Sequence, residues 1–294
     1  MRILEIHNKV NTIEEVKEVE KYFDAFYVMG IYEPADYSWQ HNRKYGLDGS
    51  LFAIDSYFSM FFPKFDELKK FKKPIIVDFV ANHIGIRKGN ENFAFADKRI
   101  GNYEWVDTYQ LNYTSHFVLE TMKAIIKNLV TTFDGLRFDM AHLLLQKNYN
   151  KKHQVYLGYE PLKELIKAAR ETNPNCILIA EAYQDYEDLR YLAFDYIYRV
   201  EERRGEIIDN IDEKDLIIID NHDEQFLYWN CFQDLELLKI KLKNLSSFKN
   251  TLWYLPAIMG YTKRPSANYW LNREWDINPE VKEIYLEVLK EVRK

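Results

Sequence analysis

Residues 135–142 read GLRFDMAH, an apolar run of strand length that leads into a carboxylate, Asp139. Two further apolar runs lead into an acid in the same way: LIAEAY at 178–183 with Glu181, and IIIDNHDE at 217–224 with Asp223. A helix-like segment lies between one acid and the next, so the runs are predicted to be parallel neighbours in a sheet. Acids at one end of such a sheet surround one pocket. Crowded like charges push their pKa values apart, as acid/base chemistry requires.

Strand-like and helix-like segments alternate along the rest of the chain. The strand-like runs are at 3–7, 25–30, 74–80, 135–141, 177–183, 194–200, 216–222 and 252–260. The helix-like segments are at 12–23, 65–73, 115–133, 161–172, 186–193, 204–211, 235–248 and 278–293. The first helix begins with a Thr-x-x-Glu capping box, and the last has a proline in its first turn.

This alternation predicts an α/β fold, a (β/α)8 TIM barrel that spans residues 1–294 as one catalytic unit. The alternative is an open doubly wound sheet, but residues 7–12 read HNKVNT and lack the Gly-rich first turn of such sheets. Long connections follow the second and third strands, at 31–64 and 84–114. Because such connections form the active-site face of a barrel, we expect an aromatic wall from the first and a short excursion over that face from the second.

The composition limits which partners are expected. Hydrophobic residues make up 47% of the 294 residues, so a large core can form, and the net charge of −6 argues against a nucleic-acid surface. No apolar stretch reaches the roughly 18 residues of a membrane span, and MRILEIHNKV lacks the apolar segment of a signal peptide. Two cysteines, Cys176 and Cys231, are too few for a disulfide framework. We therefore expect a cytoplasmic protein that binds neither nucleic acid nor membrane.

Four segments resemble, in order, the four short sequence regions of the α-amylase family of glycoside hydrolases. IIVDFVANH at 75–83 resembles the first region, and GLRFDMAH resembles the second, Gly-x-Arg-x-Asp. AEAY resembles the third, which is built around one Glu, and IDNHDE resembles the fourth, Asn-His-Asp. The flanking stretches GSLFAIDSYF and WVDTYQLNY are similar as well, so the resemblance covers residues 1 to about 260. It implies that the excursion at 84–114 is a reduced form of the inserted domain, or B-domain, of the family.

The resemblance implies a role for each of the three acids. A retaining double displacement needs a nucleophile and an acid/base about 5–5.5 Å apart. Asp139 is the implied nucleophile, which forms a glycosyl-enzyme ester. Glu181 is the implied general acid/base, so its pKa should be raised by burial and by its neighbours. Asp223 is implied to orient sugar hydroxyls and to favour the distorted, oxocarbenium-like sugar.

Further residues are implied to bind the substrate by their place in the same motifs: Arg137, His83, His222, Phe52, Tyr183 and His142. Arg137 lies two residues before Asp139 on the same strand face and should keep the nucleophile ionised. Asp78 is expected to hold Arg137 in place without taking part in catalysis. The two histidines, His83 and His222, should hydrogen-bond sugar hydroxyls.

The chain also departs from the family pattern. Phe52 replaces the stacking Tyr of the family, and the Asp that usually follows falls on Ser56, with Asp55 one place early. His142 stands where relatives have a residue near an acceptor subsite, although a satisfied polar residue is an equal reading. The last strand runs into LPAIMGYTKRP without the usual Gly-Gln-Glu.

The usual C-terminal β-sandwich, on the order of 80–100 residues, has no counterpart in the sequence. A barrel flank that is normally covered exposes apolar surface when uncovered. We therefore expect a second copy to cover it, which gives a homodimer.

The resemblance implies a retaining hydrolase of α-1,4-linked glucans or maltooligosaccharides. A 4-α-glucanotransferase on the same substrates is the alternative, because the choice depends on how well the acceptor side holds sugar rather than water. A non-catalytic sugar-binding barrel is a second alternative, since fold does not determine function.

A metal-dependent barrel hydrolase ranks last, because residues 5–7 read Glu-Ile-His and not the usual His-x-His. Its ligands would be Asp78, His83, Asp139, His222 and Asp223. Asn82 corresponds to a calcium ligand in many relatives, but the excursion that supplies the other ligands is short here. We therefore predict no cofactor and no metal, and Ca²⁺ is not favoured.

Overall fold

The computed structural model describes residues 1–206, 211–271 and 273–292. Within these residues the strands are β1 Arg2–His7, β2 Ala25–Met29, β3 Ile75–Phe79, β4 His83–Gly85, β5 Ile100–Gly101, β6 Trp105–Gln110, β7 Gly135–Phe138, β8 Ile177–Ala180, β9 Tyr196–Arg199, β10 Asp215–Ile218 and β11 Thr251–Tyr254.

The strands β1, β2, β3, β7, β8, β9, β10 and β11 close into a barrel in that order, with β11 beside β1. In the parallel register of β1, Leu4 lies opposite both Phe26 of β2 and Trp253 of β11. In that of β7, Arg137 lies opposite Asp78 of β3 and Ile179 of β8. The predicted (β/α)8 barrel is thus confirmed, and the open doubly wound sheet is wrong.

The helices of the described residues alternate with these strands. They are α1 Ile13–Val19, α2 Asp36–Asn42, α3 Phe65–Lys69, α4 His116–Thr132, α5 Gln146–His153, α6 Pro161–Thr172, α7 Tyr186–Tyr191, α8 Glu201–Arg204, α9 Leu227–Asn230, α10 Leu235–Ser246, α11 Leu255–Ile258 and α12 Pro279–Val292. The predicted capping box of α1 is present, since Thr12 Oγ1 accepts from the Glu15 amide and the Glu15 carboxylate accepts from the Thr12 amide. The bounds predicted for α6 are confirmed: Glu160 caps it and Pro161 opens it.

Two predicted elements need correction. The strand predicted at 252–260 ends at Tyr254, and the next four residues form α11. Pro256 explains this, because proline lacks the amide that a central strand needs but fits the first turn of a helix. The helix predicted at 204–211 is wrong in position, because the observed helix α8 spans Glu201–Arg204 and ends where the predicted one begins. Residues 207–210 of that prediction lie outside the described residues.

The chain divides into two compact units. The first comprises Met1–Met29, Phe62–Ile75 and Tyr198–Lys294. Its core contains the fully buried indole of Trp253, which packs edge-on against Phe23 and Tyr285 at ring distances of 6.3 Å. Buried aromatic surface of this size contributes strongly to stability.

A buried polar network follows β10 in the first unit. Asp220 accepts from Arg203 Nη2 at 3.1 Å, from the Leu227 amide at 2.8 Å and from the Tyr285 hydroxyl at 2.5 Å. Burial raises the pKa of Asp220, while Arg203 opposes this. Asp220 thus accepts hydrogen bonds from α8, from α12 and from the first residue of α9. These bonds hold the loop residues that follow Asp220 in a defined position.

The second unit comprises Gly30–Phe61 and Ile76–Ile197. Its excursion at 84–114 contains a small antiparallel sheet in the order β4-β6-β5, with β4 starting at His83. Gly85 in β4 has to be glycine, because a Cβ there would lie 2.4 Å from the Ala53 carbonyl oxygen. This close approach joins the excursion to the loop after β2, which also contains the unpredicted helix α2. In the described part of the chain, no helix has the length and apolarity to span a bilayer.

Candidate active site

Arg137 is the centre of a buried charge cluster in the second unit. Its Nη1 lies 3.2 Å from Asp78 Oδ1 and 2.9 Å from Asp139 Oδ1. Its Nη2 lies 2.7 Å from Glu181 Oε1. The arginine is fully buried, and each of the three acids is at most 5% exposed. One guanidinium thus holds the proposed nucleophile, the proposed acid/base and the expected structural partner Asp78.

The backbone after β7 presents Asp139 and binds Glu181. Met140 adopts a left-handed conformation with φ of 46°, which directs its amide to Glu181 Oε2 at 2.7 Å. The Ala141 amide donates to the Glu181 carbonyl at 2.8 Å. Left-handed backbone at a non-glycine residue carries strain that the surrounding structure has to compensate, and such strain is common at functional sites. The turn therefore ties the ends of the two strands that carry the acids.

Phe52 and His83 lie in the same unit as this cluster. The Phe52 ring centre is 5.2 Å from the Arg137 guanidinium carbon, within cation–π range. His83 is buried, hydrogen-bonds the Phe52 backbone and contacts the Trp105 ring at 4.6 Å. Burial lowers the pKa of His83 to about 3, so its ring is neutral at neutral pH. A neutral imidazole offers one donor and one acceptor, which suits a hydroxyl group.

Tyr183 and His142 lie near Glu181. The Tyr183 hydroxyl donates to Glu181 Oε1 at 3.0 Å, and the two rings of Tyr183 and His142 meet edge to face at 6.1 Å. Burial lowers the pKa of His142, while the charge of Glu181 opposes this shift. Tyr183 therefore contacts the proposed acid/base directly, and His142 contacts Tyr183.

In the first unit, the loop after β10 carries a second group of predicted residues. His222 Nδ1 lies 2.5 Å from Glu5 Oε1, and His222 Nε2 lies 3.1 Å from Asp223 Oδ2. Glu5 and His222 are fully buried, while the Asp223 side chain is 39% exposed. The imidazole thus bridges one buried and one accessible carboxylate.

Glu5 is a site residue that the sequence interpretation missed. It stands in the middle of the apolar strand β1, where its side chain is 0% exposed. An acid inside an apolar run of strand length is itself a signal, because buried carboxylates need a partner. The hydroxyls of Tyr32 and Tyr57 were also missed; they donate to the backbone carbonyls of Asp78 at 3.1 Å and Val80 at 2.6 Å, and so hold the end of β3.

Neither a protein-family model nor a curated protein matches the sequence. The solved structures do match. An α-amylase from Lactobacillus plantarum superposes with a TM-score of 0.72 at 15% identity, over 98% of this chain and 79% of that one. This chain has the α-amylase fold.

Two further structures with the α-amylase fold match over nearly the whole chain. A cyclic α-maltosyl-(1→6)-maltose hydrolase from Arthrobacter globiformis, in complex with maltose, gives a TM-score of 0.70 at 14% identity, over 96% of this chain and 74% of that one. An α-amylase from Geobacillus thermoleovorans, complexed with acarbose, gives 0.68 at 14% identity, over 99% and 78%. At such identities the likeness establishes the fold.

The structure also places the departures from the α-amylase pattern. Asp55 forms an ion pair with Arg87 at 2.6 Å and accepts from the Ser59 hydroxyl at 3.1 Å. Ser56 Oγ accepts from the Phe58 amide at 3.1 Å. Both side chains are thus bound within their own loop and the excursion.

The structure also places Asn82, the residue that the α-amylase resemblance suggests as a calcium ligand. Asn82 is buried, and its Oδ1 accepts from Gln110 Nε2 at 3.1 Å, so this oxygen is already bound by the excursion. Among the described residues, no group of three or more His, Cys, Asp or Glu is placed to hold a metal ion. The ligand set of the metal-dependent alternative is therefore not assembled there.

Proposed function

We propose that this protein is a retaining glycoside hydrolase of the α-amylase family that acts on α-1,4-linked glucans or maltooligosaccharides. The observation that carries the proposal is the single guanidinium of Arg137, which contacts both Asp139 and Glu181. Two carboxylates on one guanidinium are close together, and retaining enzymes need a short separation of about 5–5.5 Å. The maltose and acarbose in the complexes of two structural neighbours support the substrate class.

The proposed reaction proceeds in two displacements. Asp139 attacks the anomeric carbon and forms an ester as the glycosidic bond breaks, while Glu181 gives its proton to the departing oxygen. Glu181 then takes a proton from water, whose oxygen attacks the same carbon and releases Asp139. Arg137 holds Asp139 in the ionised form that attack requires. The Met140 amide and the Tyr183 hydroxyl orient the Glu181 carboxylate.

Asp223 is proposed as the third carboxylate, on the family resemblance and on its place in the loop after β10. Its contact with His222 Nε2 at 3.1 Å fixes one carboxylate oxygen. The side chain remains 39% exposed, so it can reach sugar hydroxyls. Its proposed part is to bind these hydroxyls more tightly in the distorted sugar than in the ground state.

The deciding experiment follows maltoheptaose and its products by NMR with the wild-type protein and with Asp139→Ala. We expect products of the α configuration from the wild type and none from the variant. Oligomers longer than the substrate would instead favour the 4-α-glucanotransferase. Unchanged maltoheptaose that still binds would contradict hydrolysis and favour the non-catalytic sugar-binding barrel.

The role of Glu181 has a separate test. Glu181→Gln should lower the turnover of maltoheptaose by about 10²–10⁴-fold, because the departing oxygen receives no proton. An α-glucosyl fluoride needs no acid, and azide needs no base, so azide should restore turnover of the fluoride and give the α-azide. The exposed Glu187 offers a control, Glu187→Gln, with expected wild-type rates. An azide product of β configuration would contradict the retaining mechanism.

A further inference from the structure

A cavity of about 400 Å³ lies in the second unit, and the proposed mechanism uses none of its wall residues. Its polar wall comes from the excursion, from α5 and from the loop after β8: Asn102, Asn148, Lys151, Lys152, His153 and Gln184. A monosaccharide unit fits a cavity of this volume, since small-molecule sites start at about 300 Å³.

Two residues of the cavity wall are chain neighbours of residues around the proposed acid/base. Gln184 in its wall follows Tyr183, whose hydroxyl donates to Glu181. Leu143 in its wall follows His142, whose ring contacts that of Tyr183. In the proposed reaction Glu181 protonates the oxygen that departs with the leaving sugar, so this sugar has to lie near Glu181. The proposed reaction thus gives the cavity a natural occupant.

The wall of the cavity is positively charged. Lys151 is exposed and makes no hydrogen bond or ion pair within the part of the chain that the structure describes. The carboxylate nearest to Lys152 is that of Glu104, at 3.9 Å. Asp185, the acid that borders this wall, is already bound by Lys147 at 2.5 Å. Lys151 is therefore available to an anion, and among the described residues Lys152 has only its long ion pair with the exposed carboxylate of Glu104 to exchange for one.

His153 adds a neutral polar group to this wall. It is 4% exposed, and its imidazole makes no hydrogen bond with any residue that the structure describes. Burial lowers the pKa of His153 to about 4, and the positive charges of Arg99 and Lys152 add to this effect. A buried polar ring without a partner is costly in free energy, and a ligand hydroxyl would supply the missing partner. The amide groups of Asn102 and Gln184 can bind further hydroxyls.

We propose that this cavity binds the leaving sugar of the substrate, and that this sugar carries a phosphate ester which Lys151 and Lys152 bind. The inference rests on the proposed function and narrows its substrate class to phosphorylated α-glucosides. Ammonium groups recognise phosphate as point charges, and such charge-assisted bonds are stronger than neutral ones. The helix dipole also favours lysines in the last turn of α5, so their presence there is not in itself a sign of a ligand. The experiment therefore has to measure how binding depends on the phosphate group.

A binding measurement tests the cavity without catalysis. Calorimetry on Asp139→Ala should show glucose 6-phosphate binding at least about tenfold more tightly than glucose, with an advantage that shrinks as salt is raised. Glucuronate tests whether a carboxylate can replace the phosphate, and inorganic phosphate tests whether the sugar is needed. We expect both to bind more weakly than glucose 6-phosphate. Equal affinity for glucose and glucose 6-phosphate would overturn the inference. So would tighter binding of glucuronate, which would assign a carboxylate.

Two lysine variants connect the binding to the wall. In the double variant Lys151→Gln, Lys152→Gln, the preference for glucose 6-phosphate over glucose should fall to near one. Lys163→Gln, at an exposed position on α6, should keep the preference. A preference that survives in the double variant would place the phosphate elsewhere and contradict the inference.

Kinetics separates this inference from the proposed function. The wild type should hydrolyse maltose with a phosphate on the reducing-end glucose at a kcat/KM about tenfold or more above that for maltose, and the double variant should lose this ratio. Hydrolysis of both sugars at equal kcat/KM would contradict the proposed preference for a phosphorylated substrate but would agree with the proposed glycosidase function. Lysine-dependent binding of glucose 6-phosphate without hydrolysis of either sugar would contradict the glycosidase function but would agree with phosphate binding in the cavity.

Discussion

Glu5 Oε1 lies 2.5 Å from His222 Nδ1, although 217 residues separate the two along the chain. The other ring nitrogen, Nε2, lies 3.1 Å from Asp223 Oδ2. An ionised carboxylate only accepts hydrogen bonds, so the Nδ1 side of the ring donates to Glu5. The contact therefore fixes the direction in which His222 presents Nε2 to Asp223.

The first prediction concerns this ring. Glu5→Gln should weaken the hydrogen bond to His222 Nδ1, because a neutral amide replaces the carboxylate that accepts it. Nitrogen NMR should show a shifted Nδ1 signal of His222 in the variant. We expect kcat for maltoheptaose to fall by about tenfold or more, as for loss of a charge-assisted bond. Glu14→Gln at an exposed position is the control, and an unchanged His222 spectrum in Glu5→Gln would contradict the assignment.

Arg137→Lys should abolish most activity although the charge is kept. A lysine has no planar fork with which to hold Asp139 and Glu181 together. Activity on maltoheptaose should fall by more than about 100-fold, and the free energy of unfolding in urea should fall by about 3 kcal/mol, since a buried ion pair is broken. Arg204→Lys on the exposed side of α8 should change neither quantity. Wild-type activity in Arg137→Lys would remove the observation on which the proposed function rests.

His83 should make the protein less stable in acid. Burial holds its folded pKa at about 3, whereas an unfolded histidine titrates near about 6.5. Between these values the unfolded chain binds a proton that the folded chain does not, so the free energy of unfolding falls as pH falls through that window. His83→Gln should reduce this slope by up to about 1.4 kcal/mol per pH unit in urea titrations. His116→Gln, at an exposed position on α4, should keep the wild-type slope, and an unchanged slope in His83→Gln would show that His83 is accessible to protons.

Thr12→Ala tests the capping box of α1. The Thr12 hydroxyl accepts from the Glu15 amide at 3.2 Å, and this bond is lost in the variant. The free energy of unfolding should fall by about 1 kcal/mol, as for other N-cap replacements. Thr131→Ala, on the exposed side of α4, should cost clearly less. Equal losses in both variants would mean that the cap adds nothing beyond a generic threonine replacement.

Local signals explain which parts of the fold could be predicted. The bounds of α6 follow from apolar residues at helical spacing, and the barrel follows from the alternation of apolar runs. Helix α5 was missed because its sequence, QKNYNKKH, has no apolar period. The strand predicted at 252–260 was too long because the apolar character of Leu255 and Ala257 reflects burial in α11 and not strand pairing.

Some residues of the candidate site could be predicted from the sequence, and others could not. The motifs pointed to Asp139, Glu181 and Arg137 because these residues lie in short contiguous stretches. The partnership of Glu5 with His222 depends on the closed barrel, so no local pattern contains it. The raised pKa expected for Glu181, the homodimer and the cytoplasmic location stay predictions.

The pairing of β1 with β11 has a consequence for synthesis. Arg2 lies opposite Thr251, and Glu5 lies opposite Tyr254. On the ribosome, one edge of β1 therefore stays without its neighbour until the last barrel strand has left the exit tunnel. A nascent chain that stalls before that point exposes an unsatisfied strand edge with Glu5 in it, and such edges attract other chains. We expect chaperones that bind nascent chains to protect this segment longest.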